Sequence, residues 1–414
     1  CNRRGLGMDQ TSAKPELNRI LTLPLLVFYG VGVTVGAGIF ALIGEILLVS
    51  GNLAPLAFLT AGVIAGVTGL SYALLVAVFP RAGGEAVFVN RGLGHAAGWL
   101  AGAGVAVTGI ISSAAIARAF AGYAGSLLPF PEWALILFVI VLLAAIAAWG
   151  VRESVWFAAL ITLLEVSTLL VVIVFGLPLL NALPPLAEML PQSASAAAFT
   201  PVMAGAILAF FAFVGFEDIE NMAEETLDPA RTAPRAIFWT LGITVFLYAM
   251  LALVAVASPA REAISNSKAP VALLFSSVTG FSGEPVAAMA AIAMINGILV
   301  QIVMAARVLY GMANEGLMPG WFAHVSASRR TPLRATLVVA LAITGLALGV
   351  PLVQLAETTS IVTLAVFAMV NLSLFVLGRG STHPTLSRWR WVGLVGAAIC
   401  IAVLAFQASQ WLAA

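Results

Sequence analysis

Isolated carboxylates in apolar surroundings are the residues of this sequence with the most distinctive chemistry. Glu165 lies in a long uncharged run, and Glu217 follows directly on the apolar residues 210–216. A carboxyl group in such surroundings is costly when charged and can cycle between neutral and charged forms. Proton uptake and release is therefore the chemistry that these acids predict. The alternative for Glu165 is a neutral acid hydrogen-bonded to a neighbouring helix, and for Glu217 a carboxylate that caps free backbone amides.

Two hydrophobic stretches are interrupted by glycine. The first reads Gly32-Val33-Thr34-Val35-Gly36-Ala37-Gly38-Ile39-Phe40, and the second reads Phe210-Phe211-Ala212-Phe213-Val214-Gly215-Phe216-Glu217-Asp218. In lipid, such a break leaves backbone N–H and C=O groups free, and these are tolerated only where they line a polar cavity. A pair of breaks, one in each half of the chain, predicts the binding site of a secondary transporter. Tight helix packing through Gly32 and Gly36 is the alternative for the first break.

Composition places the chain in a lipid bilayer. Of the 414 residues, 62% are hydrophobic and 9% are charged, and the mean hydropathy is +1.08. Too few polar residues remain to cover a soluble globule of this size. No basic patch is interleaved with aromatic residues, so nucleic acid is not an expected partner. Cys1 and Cys400 offer neither a disulfide framework nor metal-ligand spacing.

Hydropathy predicts eleven membrane spans. They cover residues 21–49, 54–79, 94–127, 133–150, 154–180, 201–222, 234–257, 285–313, 333–350, 355–378 and 391–412. With residues 1–20 as a cytoplasmic segment, only Arg118, Arg261 and Lys268 of the 19 basic residues fall on the outer side. This agrees with the positive-inside rule. We expect a multi-pass protein of the inner (plasma) membrane with a cytoplasmic N-terminus.

The positions of the glycine breaks predict an internal repeat. They fall in spans 1 and 6, and an odd offset of five spans inverts the second half relative to the first. The predicted organisation is a transporter core over residues 21–378, made of inverted repeats 21–180 and 201–378. A cytoplasmic loop and a final transmembrane helix follow over residues 379–414.

Several motifs, in order along the chain, resemble those of the amino acid–polyamine–organocation superfamily of permeases. The similarity is greatest to bacterial amino acid permeases and cationic amino acid transporter-like members. The motifs are Gly36-Ala37-Gly38-Ile39-Phe40, Pro80-Arg81-Ala82-Gly83-Gly84-Glu85, Phe213-Val214-Gly215-Phe216-Glu217-Asp218, Ala223-Glu224-Glu225-Thr226 with Pro229 and Pro234-Arg235-Ala236, and Ala306-Arg307-Val308-Leu309-Tyr310 with Gly316-Leu317-Met318-Pro319. The resemblance implies an all-α integral membrane protein with a LeuT-type five-plus-five inverted repeat, discontinuous helices 1 and 6, and about eleven transmembrane helices where twelve are common.

The resemblance also implies an amino acid site at the two breaks, which Gly36 and Gly215 open. The amides of Ala37, Gly38 and Ile39 would bind the substrate carboxylate, and the carbonyl of Thr34 would help to hold its ammonium. Further carbonyls for the ammonium would come from Phe211 and Val214, with the Phe211 ring as a gate. A lipid-facing Phe211 is the alternative. Asn296 is our best candidate in span 8 for the side-chain pocket, and interhelical hydrogen bonding is its alternative.

Proton symport through Glu165, with Glu217 as a second candidate, is the predicted coupling. In proton-coupled relatives a lysine is often found at the position of Glu165, so the lysine mechanism does not transfer unchanged. A sodium site of this fold usually needs hydroxyl groups late in span 8, where this sequence reads Met304-Ala305-Ala306-Arg307. Sodium is therefore the less favoured partner, and exchange of amino acids without an ion is the alternative to symport.

Other classes of function have weaker support. His95, His324 and His383 fall at span ends or in loops, and no metalloprotease or paired-aspartate motif is present. We therefore expect neither an enzyme nor a cofactor or metal. A receptor that binds an amino acid without transporting it is a further alternative, and the oligomeric state is left open.

Overall fold

The structure is a computed structural model that describes residues 19–80, 84–150, 155–193, 195–314, 316, 318–326, 329, 331–380 and 383–413. Within these ranges the chain is helical apart from turns, bends and one isolated bridge between Leu21 and Thr226. The prediction of an all-α protein is confirmed for this part of the chain.

Fourteen α-helices follow one another along the described part of the chain. They are α1 (Leu23–Ser50), α2 (Ala54–Val78), α3 (Gly84–Leu93), α4 (His95–Gly125), α5 (Glu132–Trp149), α6 (Val155–Gly176), α7 (Ala196–Phe211), α8 (Pro229–Ala257), α9 (Arg261–Ser265), α10 (Pro270–Thr279), α11 (Glu284–Asn314), α12 (Leu333–Gly349), α13 (Leu352–Gly380) and α14 (Pro384–Ala413). Short 3-10 helices cover Gly51–Leu53, Leu177–Ala182, Leu186–Met189, Phe216–Glu225 and Gly320–Ala323. Proline stands near the first position of α1, α2, α8 and α10, where the N–H that it lacks has no partner within the helix.

Nine helical stretches of the described chain are long and apolar enough to cross a membrane. The first of them, Leu23–Val78, contains both α1 and α2, and α12 is a shorter apolar helix of 17 residues. Large apolar side chains such as Phe138, Val141 and Leu341 are more than half exposed, as expected of a surface that lipid covers. The chain is a multi-pass integral membrane protein, and the total of eleven spans stays a prediction.

The second glycine break lies inside the sixth predicted span, residues 201–222, where α7 ends at Phe211 and a 3-10 helix begins at Phe216. One predicted boundary differs from the structure. The loop expected from residue 379 is largely helical, because α13 continues to Gly380 and α14 begins at Pro384. In the motif that begins at Pro80, residues 81–83 lie outside the described residues, and α3 begins at Gly84.

The core surrounds α1, which packs against α6, α7, α8 and α11. An aromatic cluster lies beside it. The Tyr72 ring of α2 has its centroid 5.8 Å from that of Phe216 and 5.3 Å from that of Phe367 in α13. Phe216 and Phe367 are also 5.5 Å apart. These contacts hold the start of the 3-10 helix Phe216–Glu225 against α2 and α13, and so fix one side of the second glycine break.

Candidate functional site

The first glycine break interrupts α1 at Gly36. This residue has non-helical dihedral angles, φ 15° and ψ −130°, with helix on both sides. A Cβ atom built on Gly36 would have no atom within 4 Å, whereas one on Gly32 would lie 1.8 Å from the hydroxyl oxygen of Thr162 in α6. Gly32 is therefore a close packing contact, and Gly36 faces open space.

The second break follows α7. A turn over residues 212–215 separates α7 from the 3-10 helix, and Gly215 adopts φ 121°, a conformation that glycine favours. A Cβ on Gly215 would also lie 2.8 Å from Cγ1 of Val33 in α1. A Cβ on Gly38 would lie 2.5 Å from Cα of Ala212. The two breaks thus touch each other through their backbones, and larger residues at Gly38 or Gly215 would separate them.

A tyrosine of α8 lies within hydrogen-bonding distance of both breaks. The hydroxyl of Tyr248 is 3.0 Å from the carbonyl oxygen of Thr34 and 2.9 Å from that of Ala212. One hydroxyl has one hydrogen to donate, so the two carbonyls share this donor. Tyr248 is fully buried. This role of Tyr248 was not predicted. A tyrosine in an apolar helix indicates that its hydroxyl needs a hydrogen-bond partner, but the sequence does not indicate that α8 approaches the breaks.

A cavity of about 80 Å³ lies between the two breaks. Most of the predicted site residues line it, namely Thr34, Gly36, Ala37, Gly38, Phe211, Val214, Asn296 and Glu165. Ile39, Gly215 and Glu217 do not line it. Ile39 is fully buried in the core, and Phe211, at 6% exposure, does not face lipid. The polar residues Tyr29, Ser112 and Gln301 also line the cavity.

Glu165 brings a carboxyl group to the cavity from α6. The residue is 2% exposed, and its Oε2 atom has no hydrogen-bond partner among the described residues. Oε1 of Gln301 in α11 also has no hydrogen-bond partner among the described residues. A Cβ atom built on Gly109 of α4 would lie 2.9 Å from it. Two residues that line the cavity thus each carry a buried acceptor atom that the described protein groups do not satisfy, and each atom is suited to a proton or an N–H donor.

Glu217 lies at a second, smaller cavity of about 30 Å³. Its Oε2 accepts a hydrogen bond of 2.9 Å from the amide of Gly215, so it supports the second break in the way that a capping carboxylate would. Glu85 and Asp218 also line this cavity, and Val214 and Gln301 line both cavities. The acid-lined space is thus separated from the first cavity by those two side chains.

Glu85 reaches the second cavity from α3, outside the membrane-crossing stretches. Burial raises the pKa of its carboxyl group, since a charge in apolar surroundings is poorly solvated. Tyr72 donates a hydrogen bond of 3.3 Å to its Oε1. Among the described residues no group of three or more His, Cys, Asp or Glu side chains could hold a metal ion.

Two broken helices that enclose a polar cavity inside a multi-pass helical protein define a membrane protein of the permease class. Comparison with known proteins agrees. The model of the amino acid permease family matches residues 21–412. The chain belongs to this family, within the amino acid–polyamine–organocation superfamily.

Curated relatives cover most of the chain. An uncharacterized transporter of Mycobacterium tuberculosis is 32% identical over 403 residues, which are 96% of this chain and 88% of the relative. Cationic amino acid transporter 2, vacuolar, of Arabidopsis thaliana is 29% identical over 87% of this chain and 60% of its own length. Human cationic amino acid transporter 4 is 29% identical over 91% of this chain and 62% of its own length. These relatives are named as transporters and not as enzymes.

Proposed function

We propose that the chain is a secondary active transporter that moves an α-amino acid across the cytoplasmic membrane by alternating access. The observation that carries this proposal is the cavity at which both helix breaks meet around Glu165. Free amides and carbonyls at such breaks suit the two charged ends of an α-amino acid. A LeuT-type inverted repeat with discontinuous helices 1 and 6, and a cytoplasmic N-terminus, belong to the same proposal.

In the proposed substrate complex, the amides of Ala37 and Gly38 bind the carboxylate at the start of the second half of α1. The N-terminus of a half-helix favours an anion at this position. The ammonium group takes the carbonyl of Thr34 and those of Phe211 and Val214. Because Thr34 O also accepts from Tyr248, an ammonium that binds there leaves the tyrosine hydroxyl to Ala212 O.

We further propose proton symport, with Glu165 as the residue that takes up the proton. A buried carboxyl group with an unpartnered oxygen inside the cavity supports this role. Glu217 is a second candidate, although its hydrogen bond to the Gly215 amide also suits a structural role. Cationic amino acids are the first substrates to test, because relatives are named for them.

Uptake into proteoliposomes tests the proposal. The purified chain is given radiolabelled amino acids, first arginine and lysine and then a mixed pool, with a pH gradient imposed and then collapsed by an ionophore. Accumulation that disappears with the gradient supports proton symport. Uptake that ignores the gradient but requires amino acid inside would replace symport by exchange. Binding without uptake under either condition would indicate a receptor and overturn the transport proposal.

A further inference from the structure

Two arginines lie on adjoining aromatic rings where α13 ends and α14 begins. The guanidinium carbon of Arg379 is 4.9 Å from the centroid of the Phe375 ring, and that of Arg390 is 5.2 Å from the centroid of the Trp391 ring. The two ring centroids are 5.4 Å apart. These four residues form a continuous set of contacts, which we call the arginine–aromatic cluster.

Close packing of the two helices holds the cluster together. A Cβ on Gly378 of α13 would lie 2.6 Å from Cβ of Arg390 and 2.6 Å from the carbonyl oxygen of Leu386, both in α14. The backbones therefore approach as closely as a glycine allows. Arg390 is half-buried and Arg379 is exposed, so the two charged groups are positioned by the helices and still accessible from outside.

Among the described residues, no carboxylate forms an ion pair with the cluster. Neither arginine takes part in an ion pair within the described residues, and no Asp or Glu follows Glu357 in the sequence. A ring face attracts each guanidinium but does not neutralise it. An anion bound at the cluster would neutralise this charge through charge-assisted hydrogen bonds.

The position of the cluster identifies the anion. Helices α13 and α14 are 29 and 30 residues long and apolar enough to cross a membrane, so their joined ends reach the level of the lipid headgroups. Trp391 is 56% exposed, and exposed tryptophan at a helix end is typical of that level. Guanidinium groups match phosphate in charge and geometry.

We propose that the arginine–aromatic cluster is a binding site for the phosphate group of an anionic phospholipid. The site is a defined pair of guanidinium groups and not a diffuse positive surface. A variant of the neighbouring Arg388 distinguishes a defined site from a diffuse positive surface. The guanidinium carbon of Arg388 is 6.0 Å from the centroid of Trp389 and outside the cluster, so Arg388→Gln removes the same charge from the same turn without touching the site.

Native mass spectrometry of the purified full chain, titrated with phosphatidylglycerol and with phosphatidylcholine, tests the proposal. We expect Arg379→Gln and Arg390→Gln each to weaken phosphatidylglycerol binding by about tenfold, as loss of a charged hydrogen bond does, and Arg388→Gln to change it by less than about twofold. Phosphatidylcholine binding should be the same in all variants. A thermal unfolding curve like that of the unmodified chain shows that each variant is folded.

Three results would overturn the proposal. Equal losses in all three variants would mean diffuse attraction to anionic lipid, and no loss in any variant would mean that the cluster does not bind lipid phosphate. The third is displacement of the lipid by glycerol phosphate at an equal concentration. The site would then take a free phosphate ester and not a lipid.

Discussion

At the residue scale, Glu165 carries the proposed proton. Replacing it by glutamine keeps the shape of the side chain but removes its ability to ionise, so Glu165→Gln is expected to bind substrate and to lose accumulation driven by a pH gradient. Binding is measured by equilibrium dialysis and accumulation in proteoliposomes. Glu188→Gln is the control, because Glu188 is an exposed acid in a 3-10 helix away from the cavity. If Glu165→Gln still concentrates substrate on a proton gradient, Glu165 is not the coupling residue.

Tyr248 gives a second prediction at this scale. Tyr248→Phe leaves the Thr34 and Ala212 carbonyls without their shared donor, and the loss of a buried hydrogen bond costs about 1–2 kcal/mol. We expect a lower Tm and a substrate Kd raised by about tenfold, because the two breaks are no longer held in register.

Tyr123→Phe is the matched control for Tyr248→Phe. Tyr123 is also a fully buried tyrosine, and its hydroxyl donates to Phe40 O over 2.8 Å and accepts from the Val271 amide. It does not line the cavity. Tyr123→Phe should therefore lower the Tm and leave the Kd unchanged. Equal effects of the two variants on the Kd would contradict a specific role of Tyr248.

Individual residues differ in how far the sequence predicts them. Glu165 is predictable because a lone carboxylate in an apolar run has few explanations. Tyr248 is not, because its hydroxyl acts on carbonyl oxygens of distant segments that only the folded chain brings near. Ile39 was expected at the site through its backbone amide, and this stays a prediction, since the burial of its side chain outside the cavity lining does not bear on the amide.

At the scale of elements, the close approach of α1 to the turn after α7 is the contact on which the site depends. Gly38→Ala would place a methyl group 2.5 Å from Cα of Ala212, and backbone must move to accept it. We expect a loss of about 1–3 kcal/mol in stability and little remaining uptake, measured by thermal unfolding and proteoliposome transport. Gly242→Ala is the control in α8, since a Cβ there meets nothing within 4 Å. Normal uptake by Gly38→Ala would show that the two breaks do not need this contact.

The helices themselves are largely predictable, because twenty or so apolar residues leave the chain few options in lipid. The start of α14 and the exact end of α7 are not. Gly215 indicates a break in the sixth span, but the residue at which α7 ends, Phe211, depends on the conformation of Gly215 and on packing of Phe216 against Tyr72 and Phe367. Helix α14 begins before the hydrophobic run, at Pro384, which favours a first helical turn.

At the scale of the whole molecule, one carboxylate joins several elements at the end of the protein opposite the acid-lined cavity. Glu132, at the start of α5, lies 2.7 Å from the ammonium of Lys268 and 3.3 Å from the guanidinium of Arg118. Arg118 of α4 also donates to the carbonyl of Ala347 in α12 over 2.7 Å. The group borders a cavity of about 350 Å³, which Ala41 and Gly44 line from the second half of α1. Arg118, one of the three basic residues expected on the outer side, thus links α4, α5 and α12.

This ion-pair group should slow the opening of that end of the molecule. The charges are partly exposed, so each pair is worth no more than about 1 kcal/mol and is screened by salt. Glu132→Gln is therefore expected to raise the population of the open form by up to about fivefold, with a smaller effect at high salt.

The measurement is the rate at which a thiol reagent labels Ala119→Cys, a cavity-lining position, with Cys1 replaced by serine and the buried Cys400 kept. Glu284→Gln, an exposed acid outside the described ion pairs, controls for loss of charge. Two results would contradict this prediction: Glu132→Gln leaves the labelling rate unchanged, or Glu284→Gln raises it by the same factor. Either would mean that packing of the helices, and not these charges, governs the opening of this end of the molecule.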